Sequence, residues 1–464
     1  MHTQTQPFDQ RIDVALHDVG LQRALSGTLP GFMAMRGRVV AQMPDWEELR
    51  TRANAIKRET IENLPRYLDQ LEAAITKRGG KVYRAATPQA ANEYIGQVMD
   101  RRKATVVVKS KSMATEEIEL NHFLEHRGIE PVETDLGEYI IQLAGQTPSH
   151  IVAPAIHMTR YDVAKLFNEK LAVNMDPNDI TGMTALARLI LREKFLEAGV
   201  GISGANFAVA ESGTIVIVEN EGNARLSTSV PPVHIAVMGM EKVIPKPADL
   251  AIFLKLLARS ATGQKMSSYV SFITGARRPG EPDGPEEFHL VILDCGRSKM
   301  LKDPLMREAL YCIRCGACLN VCPVYRKIGG HAYPWVYSGP IGKILSPQIQ
   351  GLNVEPTLPF ASSLCGACGD VCPVKIRIPQ LLLELRKREV EGAPQRHTVE
   401  KLAFRAWSWA MQRPWAYELG GLAGSIAGDS ISFGPVGIWK KTREWPQSPP
   451  RSFREEWKRR KGHG

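Results

Sequence analysis

The sequence of 464 residues has no cysteine in its first 294 positions and no long uninterrupted apolar run. A disulfide framework would spread cysteines through a secreted domain, so their absence argues against that class. The lack of a long apolar run argues against a membrane-spanning helix. The first twenty residues include Asp9, Asp13 and Asp18 and lack the basic and then apolar segments of a secretory signal. These absences predict a soluble protein with no transmembrane segment and a cytoplasmic location.

The length and the charge distribution indicate several domains and a basic tail. A chain of 464 residues exceeds what one hydrophobic core usually supports, which predicts two or three domains. The net charge of +10 is uneven, because residues 401–464 carry twelve Lys and Arg against five Asp and Glu and so account for +7 of it. The same tail contains six of the eight tryptophans. A docking segment for a partner subunit explains this composition at least as well as a nucleic-acid or membrane surface does, and a flexible solvated end fits residues 446–450 and those that follow. The role of the tail is left open, and no nucleic-acid binding is expected.

Short apolar strands alternate with amphipathic helices from about residue 79, which predicts an α/β domain. The predicted strands are 105–108, 151–156, 208–210, 214–218, 234–237, 270–273 and 290–293, and the predicted helices are 44–77, 115–126 and 181–198. The runs at 208–210 and 214–218 are joined by a Glu-Ser-Gly turn and form a predicted hairpin. The sheet is therefore predicted to be mixed rather than purely parallel.

All eight cysteines lie between Cys295 and Cys372, and seven of them form two related runs. The first run, 312–323, has the C-x₂-C-x₂-C-x₃-C-P spacing of bacterial-type ferredoxins, in which three thiolates bind one cubane and the fourth binds a second. The second run, 362–373, has the same spacing except that Ser362 stands where Cys312 stands. Structural zinc is the alternative, but it does not explain seven cysteines in two ferredoxin runs that each end in Cys-Pro.

The crossed-ligand rule of two-cluster ferredoxins assigns the cysteines to two iron–sulfur clusters, most simply [4Fe-4S]. The predicted ligands are Cys312, Cys315, Cys318 and Cys372 for cluster 1, and Cys322, Cys365 and Cys368 for cluster 2. Cluster 2 therefore lacks one thiolate. Its fourth ligand is left open between Ser362, Cys295, a solvent or partner group, and none, in which case a [3Fe-4S] cluster results. Cys295 follows an apolar strand and is better explained as a core cysteine.

These patterns together define the predicted fold class. It is an α/β mixed-sheet domain followed by an α-helical dicluster ferredoxin-type domain, with a helical N-terminal segment and an irregular C-terminal tail. The predicted boundaries are 1–69 for the N-terminal segment, 70–297 for the α/β domain, 298–391 for the dicluster domain and 392–464 for the basic Trp-rich tail.

The α/β domain contains one candidate anion site and one misleading motif. A strand leads into Lys109-Ser110-Lys111-Ser112 and then a helix, so loop amides and the charges of Lys109 and Lys111 favour a carboxylate or phosphate. A solvated connecting loop explains the same residues equally well. The run Gly199-Val200-Gly201-Ile202-Ser203-Gly204 matches the dinucleotide fingerprint, but it follows a helix and leads into a strand. We therefore interpret it as a glycine-rich turn rather than a nucleotide site.

Polar residues around the hairpin are further candidates for a cleft, although turn chemistry and surface pairing explain them more simply. They are Glu211, Asn220, Glu221, Asn223 and Arg225. His157 follows a predicted strand, where α/β ligands bind, but a lone histidine is more often structural. The spacing reveals no Ser-His-Asp or paired-carboxylate arrangement, so the catalytic residues are unknown at this stage.

The flanks of the cysteine runs carry a family resemblance. Val324 to His331 follows the first run, Gly339-Pro340-Ile341-Gly342 lies between the runs, and Leu358 to Ser362 leads into the second. Together they resemble the iron–sulfur B subunit of the bacterial lactate utilization system. The α/β region, with Gly222-Asn223-Ala224-Arg225, is similar to the domain shared by lactate utilization proteins. The resemblance covers roughly residues 70–390, and the family pattern also has seven cysteines.

The resemblance implies an electron-transfer subunit in the oxidation of L-lactate to pyruvate. It also implies two partners, a second iron–sulfur subunit and a small protein of the same α/β domain. The electron donor and acceptor are not identified by the sequence. The alternative function is a substrate-binding or catalytic oxidoreductase subunit that acts on another 2-hydroxy acid through the α/β domain.

Overall fold

The computed structural model describes residues 6–393, 398–427, 434–440, 443–444 and 452–461. The chain forms two compact units, residues 1–389 and 390–464. Within the described ranges, no helix is both long enough and apolar enough to cross a membrane.

The first unit begins with four helices and continues into the α/β region. The N-terminal helices are α1 (Phe8–His17), α2 (Val19–Ala41), α3 (Trp46–Glu62) and α4 (Leu64–Thr76). The α/β region comprises β1 (Lys81–Ala85), α5 (Pro88–Arg102), β2 (Val106–Lys109), α6 (Met113–Glu117), α7 (Leu120–His126), β3 (Glu130–Glu133), α8 (Leu136–Leu143), α9 (Arg160–Leu171), α10 (Ile180–Glu197), β4 (Val200–Gly204), β5 (Phe207–Val209), β6 (Thr214–Glu219), α11 (Asn223–Ser229), β7 (Val233–Gly239), β8 (Val243–Ile244), α12 (Pro247–Ala261), β9 (Tyr269–Ile273) and β10 (Glu287–Leu293).

The cysteine-rich region and the tail are helical. The cysteine-rich region contains α13 (Arg297–Lys302), α14 (Ala317–Val321), α15 (Tyr325–Ile328), α16 (Gly339–Gln350), α17 (Ala367–Asp370) and α18 (Ile378–Gly392), with 3₁₀ turns at Met306–Tyr311 and Leu358–Phe360. The described part of the tail contains α19 (Thr398–Met411), α20 (Pro414–Ala427), α21 (Gly434–Lys440) and α22 (Phe453–Lys461).

The strands form two sheets. The six-stranded sheet has the order β1-β10-β7-β4-β2-β3, and all its pairs are parallel. The four-stranded sheet has the order β8-β5-β6-β9 and contains the predicted hairpin β5-β6 as an antiparallel pair. The mixed α/β fold class is thus confirmed. The antiparallel pairs are confined to the second sheet. The main sheet is parallel because the segments that cross over between its strands contain helices, which pack on the faces of the sheet.

Three local predictions of secondary structure are wrong. Residues 151–156 form turns rather than a strand, because the N–H groups of Val152 and Ala153 donate to Nδ1 of His150 at 3.0 and 3.1 Å instead of to a neighbouring strand. The helix predicted at 115–126 is two helices, broken at Glu119, which has a positive φ of 53°.

The third incorrect prediction concerns the glycine run at 199–204. It forms strand β4 rather than a turn. A Cβ atom at Gly201 would overlap the carbonyl oxygen of Ser227 in α11, so this glycine permits close packing of a helix on the strand. A packed strand interior leaves no phosphate-binding loop at this motif.

The tail, predicted to be irregular, contains four helices in its described residues. Pro414 accounts for part of the difference, because proline fits the first turn of a helix, where no N–H donor is required, and it begins α20. Trp407 and Trp409 on α19 are exposed, and the rings of Trp409 and Trp415 contact each other edge to face.

Candidate metal centre and adjoining cavity

The two cysteine runs fold into loops with the same backbone conformation. Arg314 and Leu364 both have a positive φ, of 59° and 55°, and each is followed two residues later by a glycine with a positive φ. In the first loop the N–H of Arg314 donates to Sγ of Cys312 at 3.4 Å. In the second loop the N–H of Leu364 donates to Oγ of Ser362 at 3.2 Å. Ser362 therefore occupies the structural position of Cys312 as well as its place in the motif.

The cysteine thiols fall into two neighbouring groups. Burial raises the pKa of Cys315 to about 12, and the adjacent thiols of Cys312 and Cys372 add to the rise. Burial likewise raises the pKa of Cys368 to about 11, with further contributions from Cys322 and Cys365. With pKa values this high, Cys315 and Cys368 hold their protons at neutral pH until a metal displaces them. Because iron binds thiolates, cluster assembly must displace these protons.

Cys318 connects the two groups of thiols. Burial raises its pKa well above the ordinary value, and thiols of both groups add to the rise. Among the described residues, no group of three or more His, Cys, Asp or Glu side chains is arranged to hold a metal ion. A single zinc ion requires four ligands at about 2.0 to 2.3 Å. Two adjoining groups of thiols, both close to Cys318, are a donor set that suits two iron–sulfur clusters.

Backbone amides and one buried lysine contact the sulfur atoms. The N–H groups of Tyr325 and Ile376 donate to Sγ of Cys322 and Cys372 at 3.5 and 3.4 Å. Nζ of Lys343, which is fully buried, lies 3.9 Å from Sγ of Cys322. Hydrogen bonds and charges of this kind stabilise thiolate and set the potential of a cluster. The residues present thus fit iron–sulfur clusters bound by the cysteine thiolates.

A buried ionic network supports the first loop. Arg297 donates to both carboxylate oxygens of Glu117 at 2.7 Å and to Glu241 at 2.6 Å. Glu241 also accepts from Nη2 of Arg314 at 2.9 Å. Burial alone would raise the pKa of Glu241, but Arg297 and Arg314 outweigh it and lower the pKa to about 2. Tyr337 completes the network by donating to Glu117 at 2.7 Å.

Sequence reasoning missed this network and also the buried Lys343. Glu117 and Arg297 are separated by 180 positions in the chain. No local pattern marks either residue, because Glu117 follows another glutamate at the end of α6 and Arg297 begins the short polar helix α13. Arg314 was visible inside the first motif, but its role depends on the distant Glu241.

The N-terminal helices hold the second loop. Arg50 of α3 donates to the carbonyl oxygen of Cys372 at 3.0 and 2.8 Å and to that of Asp370 at 2.7 Å. Asn54 and Arg36 donate to the carbonyl oxygens of Val374 and Val371 at 2.8 and 3.1 Å. These contacts fix the loop backbone while leaving the thiols available to a metal.

A cavity of about 310 Å³ adjoins the first loop. It lies at the carboxyl ends of β2, β4 and β7, where its lining includes Ser110, Lys111, Ser112, Gly204 and Gly239. Arg314 and Cys315 of the first loop line it from the other side. The structure therefore brings the carboxyl ends of these strands and the first loop to one cavity.

The two lysines of the candidate anion loop have different surroundings. Lys109 is fully buried, and its Nζ donates to Glu133 at 2.6 Å and to Asn121. It is not part of the cavity lining, whereas Lys111 is. Lys109 therefore belongs to an internal ion pair, and only Lys111 faces the cavity.

Of the five candidate residues around the hairpin, some line the cavity and some do not. Asn220, Glu221 and Asn223 line the cavity, and Glu211 and Arg225 are not among its lining residues. Arg225 lies over the ring of Tyr269.

The remaining two candidates have other surroundings. His157 packs edge to face against His331 and contacts Gln146 at 2.7 Å. Cys295 is buried in the core of the α/β domain, with a positive φ of 44°.

Comparisons with known proteins agree with this architecture. Three family models match successive parts of the chain: the LUD domain at residues 68–293, the 4Fe-4S dicluster domain at 308–376, and the lactate utilisation protein B C-terminal region at 385–462. A lactate utilization protein B from Anoxybacillus flavithermus is 44% identical, with 100% of this chain and 99% of that one covered. An uncharacterized electron transport protein, YkgF, from Escherichia coli K12 is 43% identical, with 98% and 97% covered.

A crystal structure of a DUF162 family protein from Deinococcus radiodurans also matches, at 12% identity and a TM-score of 0.29. It covers 50% of this chain and 98% of that one.

A LUD domain joined to a 4Fe-4S dicluster domain defines an iron–sulfur protein of two functional parts. The chain belongs to the lactate utilization protein B family, because relatives of that name match it over nearly its full length. The family resemblance carried by the cysteine runs and their flanks is confirmed.

Proposed function

We propose that this chain is the electron-transfer subunit of a multi-protein system that oxidises L-lactate to pyruvate. The observation that carries the proposal is the pair of adjacent thiol groups, linked through Cys318, inside a chain of the lactate utilization protein B family. Oxidation of a 2-hydroxy acid releases two electrons, and an iron–sulfur cluster normally passes one. Two adjoining clusters would provide a route from a two-electron site to an acceptor.

The neighbours of each thiol support the crossed assignment of ligands. We assign Cys312, Cys315, Cys318 and Cys372 to cluster 1, and Cys322, Cys365 and Cys368 to cluster 2. Cys372 lies beside Cys312 although sixty positions separate them, as the crossed arrangement requires. Both clusters are proposed to be [4Fe-4S] when fully assembled.

Ser362 is the proposed fourth ligand position of cluster 2. Its Oγ accepts the same backbone hydrogen bond that Sγ of Cys312 accepts in the first loop. A serine oxygen binds iron less firmly than a thiolate, so loss of this ligand would leave a [3Fe-4S] cluster. Cys295 is an unsuitable ligand because it lies in the α/β core.

Family membership and the distribution of the cysteines support the proposed partners and compartment. We propose that a second iron–sulfur protein and a small LUD-domain protein of the same system exchange electrons or substrate with this chain. The confinement of every cysteine to residues 295–372 favours a reducing compartment, the cytoplasm.

Anaerobic reconstitution of the full chain tests the function. We expect about eight irons and eight sulfides per chain, and EPR signals from two clusters that appear on reduction. Ser362→Ala is expected to lose about one iron and gain a [3Fe-4S] signal in the oxidised protein, whereas Ser362→Cys retains all the iron. Bound zinc without reducible iron would refute the proposal.

The physiological assignment needs a second measurement. Reduction of the reconstituted clusters by L-lactate is expected only when the two partner proteins are present. If an unrelated 2-hydroxy acid reduces the clusters as well as L-lactate does, the assignment to L-lactate is contradicted.

A further inference from the structure

The cavity beside the first loop lies at the ends of β2 and β4, where the order in which strands are added to the parallel sheet reverses. The chain passes from β2 outward to β3 on one side, and then from β4 to β7 and β10 on the other. Ligands of open α/β sheets bind outside the carboxyl ends of the strands at such a switch point. The carboxyl ends of β2 and β4 contribute Ser110, Lys111, Ser112 and Gly204 to the cavity wall.

A buried cation without a full set of partners lines this cavity. The Arg314 side chain is only 7% exposed, and its Nη2 is held by Glu241 at 2.9 Å. Its guanidinium lies over the Tyr337 ring, 4.8 Å from the ring centre. Among the described residues, Nη1 of Arg314 has no hydrogen-bond partner. The guanidinium is therefore fixed in orientation and keeps a donor for an acceptor in the cavity.

The two ends of the cavity differ in charge. Glu138, whose Oε1 lies 3.9 Å from Nζ of Lys111, balances the charge of that lysine at one end together with Asp135 and Glu221. At the other end, Lys242 lies beside Arg314 and Glu241. Arg297 is already occupied by Glu117 and Glu241, whereas Nη1 of Arg314 and Nζ of Lys111 both lack a hydrogen-bond partner among the described residues. Lys111 faces these three carboxylates, and Arg314 shares its end of the cavity with a second cation, Lys242. An anionic group is therefore best accommodated at the Arg314 end.

The rest of the lining suits a small ligand with one apolar group. The cavity of about 310 Å³ exceeds the volume of a three-carbon acid. Apolar lining comes from Val152, Met238 and Leu257, and the amides of Asn206 and Asn223 supply neutral polar groups. A methyl group, a hydroxyl or keto oxygen, and a carboxylate would each meet a complementary part of the wall.

We propose that this cavity binds a small carboxylate of the 2-hydroxy or 2-oxo acid class, with its carboxylate on Arg314, beside the cluster bound by the first loop. The ligand class rests on the proposed function, since the cavity alone specifies only a small carboxylate with a polar and an apolar substituent. The 2-hydroxy acid and the 2-oxo acid share this chemistry, and the test separates them.

Calorimetry on the anaerobically reconstituted full chain tests the site with two probes, L-lactate and pyruvate. We expect at least one of them to bind and the EPR signal of the reduced first cluster to change when it does. Ala261→Phe places a ring at the cavity wall, and it is expected to weaken binding at least tenfold. Iron content is measured on the same sample, because Nδ2 of Asn320 in the first run donates to the carbonyl oxygen of Ala261 at 3.4 Å. Ala251→Phe, on the exposed face of the same helix, is the matched control and should bind as the wild type does.

A second variant addresses Arg314 directly. Arg314→Lys keeps a positive charge opposite Glu241 but removes the planar pair of donors, so it should weaken binding at least tenfold. Binding is compared per cluster-loaded chain, with the iron content measured on the same sample. If Ala261→Phe binds both acids as tightly as the wild type, the site is wrong. If neither acid binds a wild-type protein whose clusters are complete and reducible, the inference fails and the proposed electron-transfer function stands. If the clusters do not form, the proposed function itself fails.

Discussion

The two cysteine loops share a backbone but differ in what covers them. A Cβ atom at Gly316 in the first loop would come within 3.1 Å of His150 and Val152 from the α/β region. A Cβ atom at the equivalent Gly366 would meet nothing within 4 Å among the described residues. Cys365 is likewise exposed, whereas its counterpart Cys315 is buried.

Because of this difference in burial, the two loops have different surroundings although their sequence motifs are nearly the same. The first loop faces the cavity through Arg314 and Cys315. The second loop has an exposed thiol and is held from behind by Arg50. An electron carrier needs one cluster near its donor and one near the surface where its acceptor docks. Under the proposed assignment of ligands, cluster 1 lies beside the cavity and cluster 2 lies beside the exposed Cys365.

The largest effect is expected from removing a thiol of the buried loop. Cys315→Ser should lose cluster 1 and reduce the iron content from about eight to about four per chain. The matched control is Cys295→Ser, which removes a core thiol and should retain all the iron. Equal iron loss in the two variants, measured by chemical analysis, would contradict the assignment of Cys315 as a ligand.

The second effect concerns the ionic network behind the first loop. Arg297→Met leaves Glu117 and Glu241 buried without their main partner, so the free energy of unfolding should fall by about 3 to 5 kcal/mol. Arg84→Met removes a partly exposed partner of Asp69 and should cost at most about 1 kcal/mol. Urea denaturation under anaerobic conditions measures both. A similar small loss in the two variants would show that the network does not support the first loop.

The third effect is a difference between the reduction potentials of the two proposed clusters. Two unit charges about 8 Å apart interact by about 2 kcal/mol at an effective dielectric constant near 20, equivalent to about 90 mV for one electron. Lys343→Met removes a buried cation beside Cys322, so the potential of cluster 2 should fall by about this amount and more than that of cluster 1. Lys327→Met, on the surface of the same region, should cause a smaller shift. Redox titration followed by EPR measures both variants. Equal shifts in the potential of cluster 2 in the two variants would show that Lys343 does not act on that cluster.

The smallest effect is a pH dependence remote from both loops. Hydrogen bonds from Lys81, His289 and Arg102 outweigh burial and lower the pKa of Glu287 to about 2. The folded state thus favours the ionised carboxylate, and its contribution is present above the ordinary pKa of 4.5 and is lost as pH falls toward 2. Glu287→Gln should remove about 1 kcal/mol at pH 7 and flatten the loss of stability between pH 5 and 2. If the free energy of unfolding of the variant falls with pH as steeply as that of the wild type, this role is excluded. The iron content of the variant should equal that of the wild type.

Local patterns in the sequence predicted much of the fold. Apolar alternation identified the hairpin β5-β6 and helix α10 nearly to their observed ends, because burial of one face imposes a regular period. The same pattern failed at 151–156, where the His150 ring takes the backbone donors that a strand would pair. It also missed that the glycines of 199–204 serve close packing, since Ser227, which contacts Gly201, lies in another element.

The sequence by itself determined the ferredoxin-type spacing, the missing thiolate at Ser362 and the family, because ligand spacing is a property of a few consecutive residues. Only the tertiary structure decided that Lys109 is internally paired and that Lys111 faces a cavity. It also decided which cysteine loop is covered and where Arg314 finds its partner, Glu241. These properties depend on contacts between residues far apart in the chain, and such contacts exist only after the sheet, the helices and the loops have packed together.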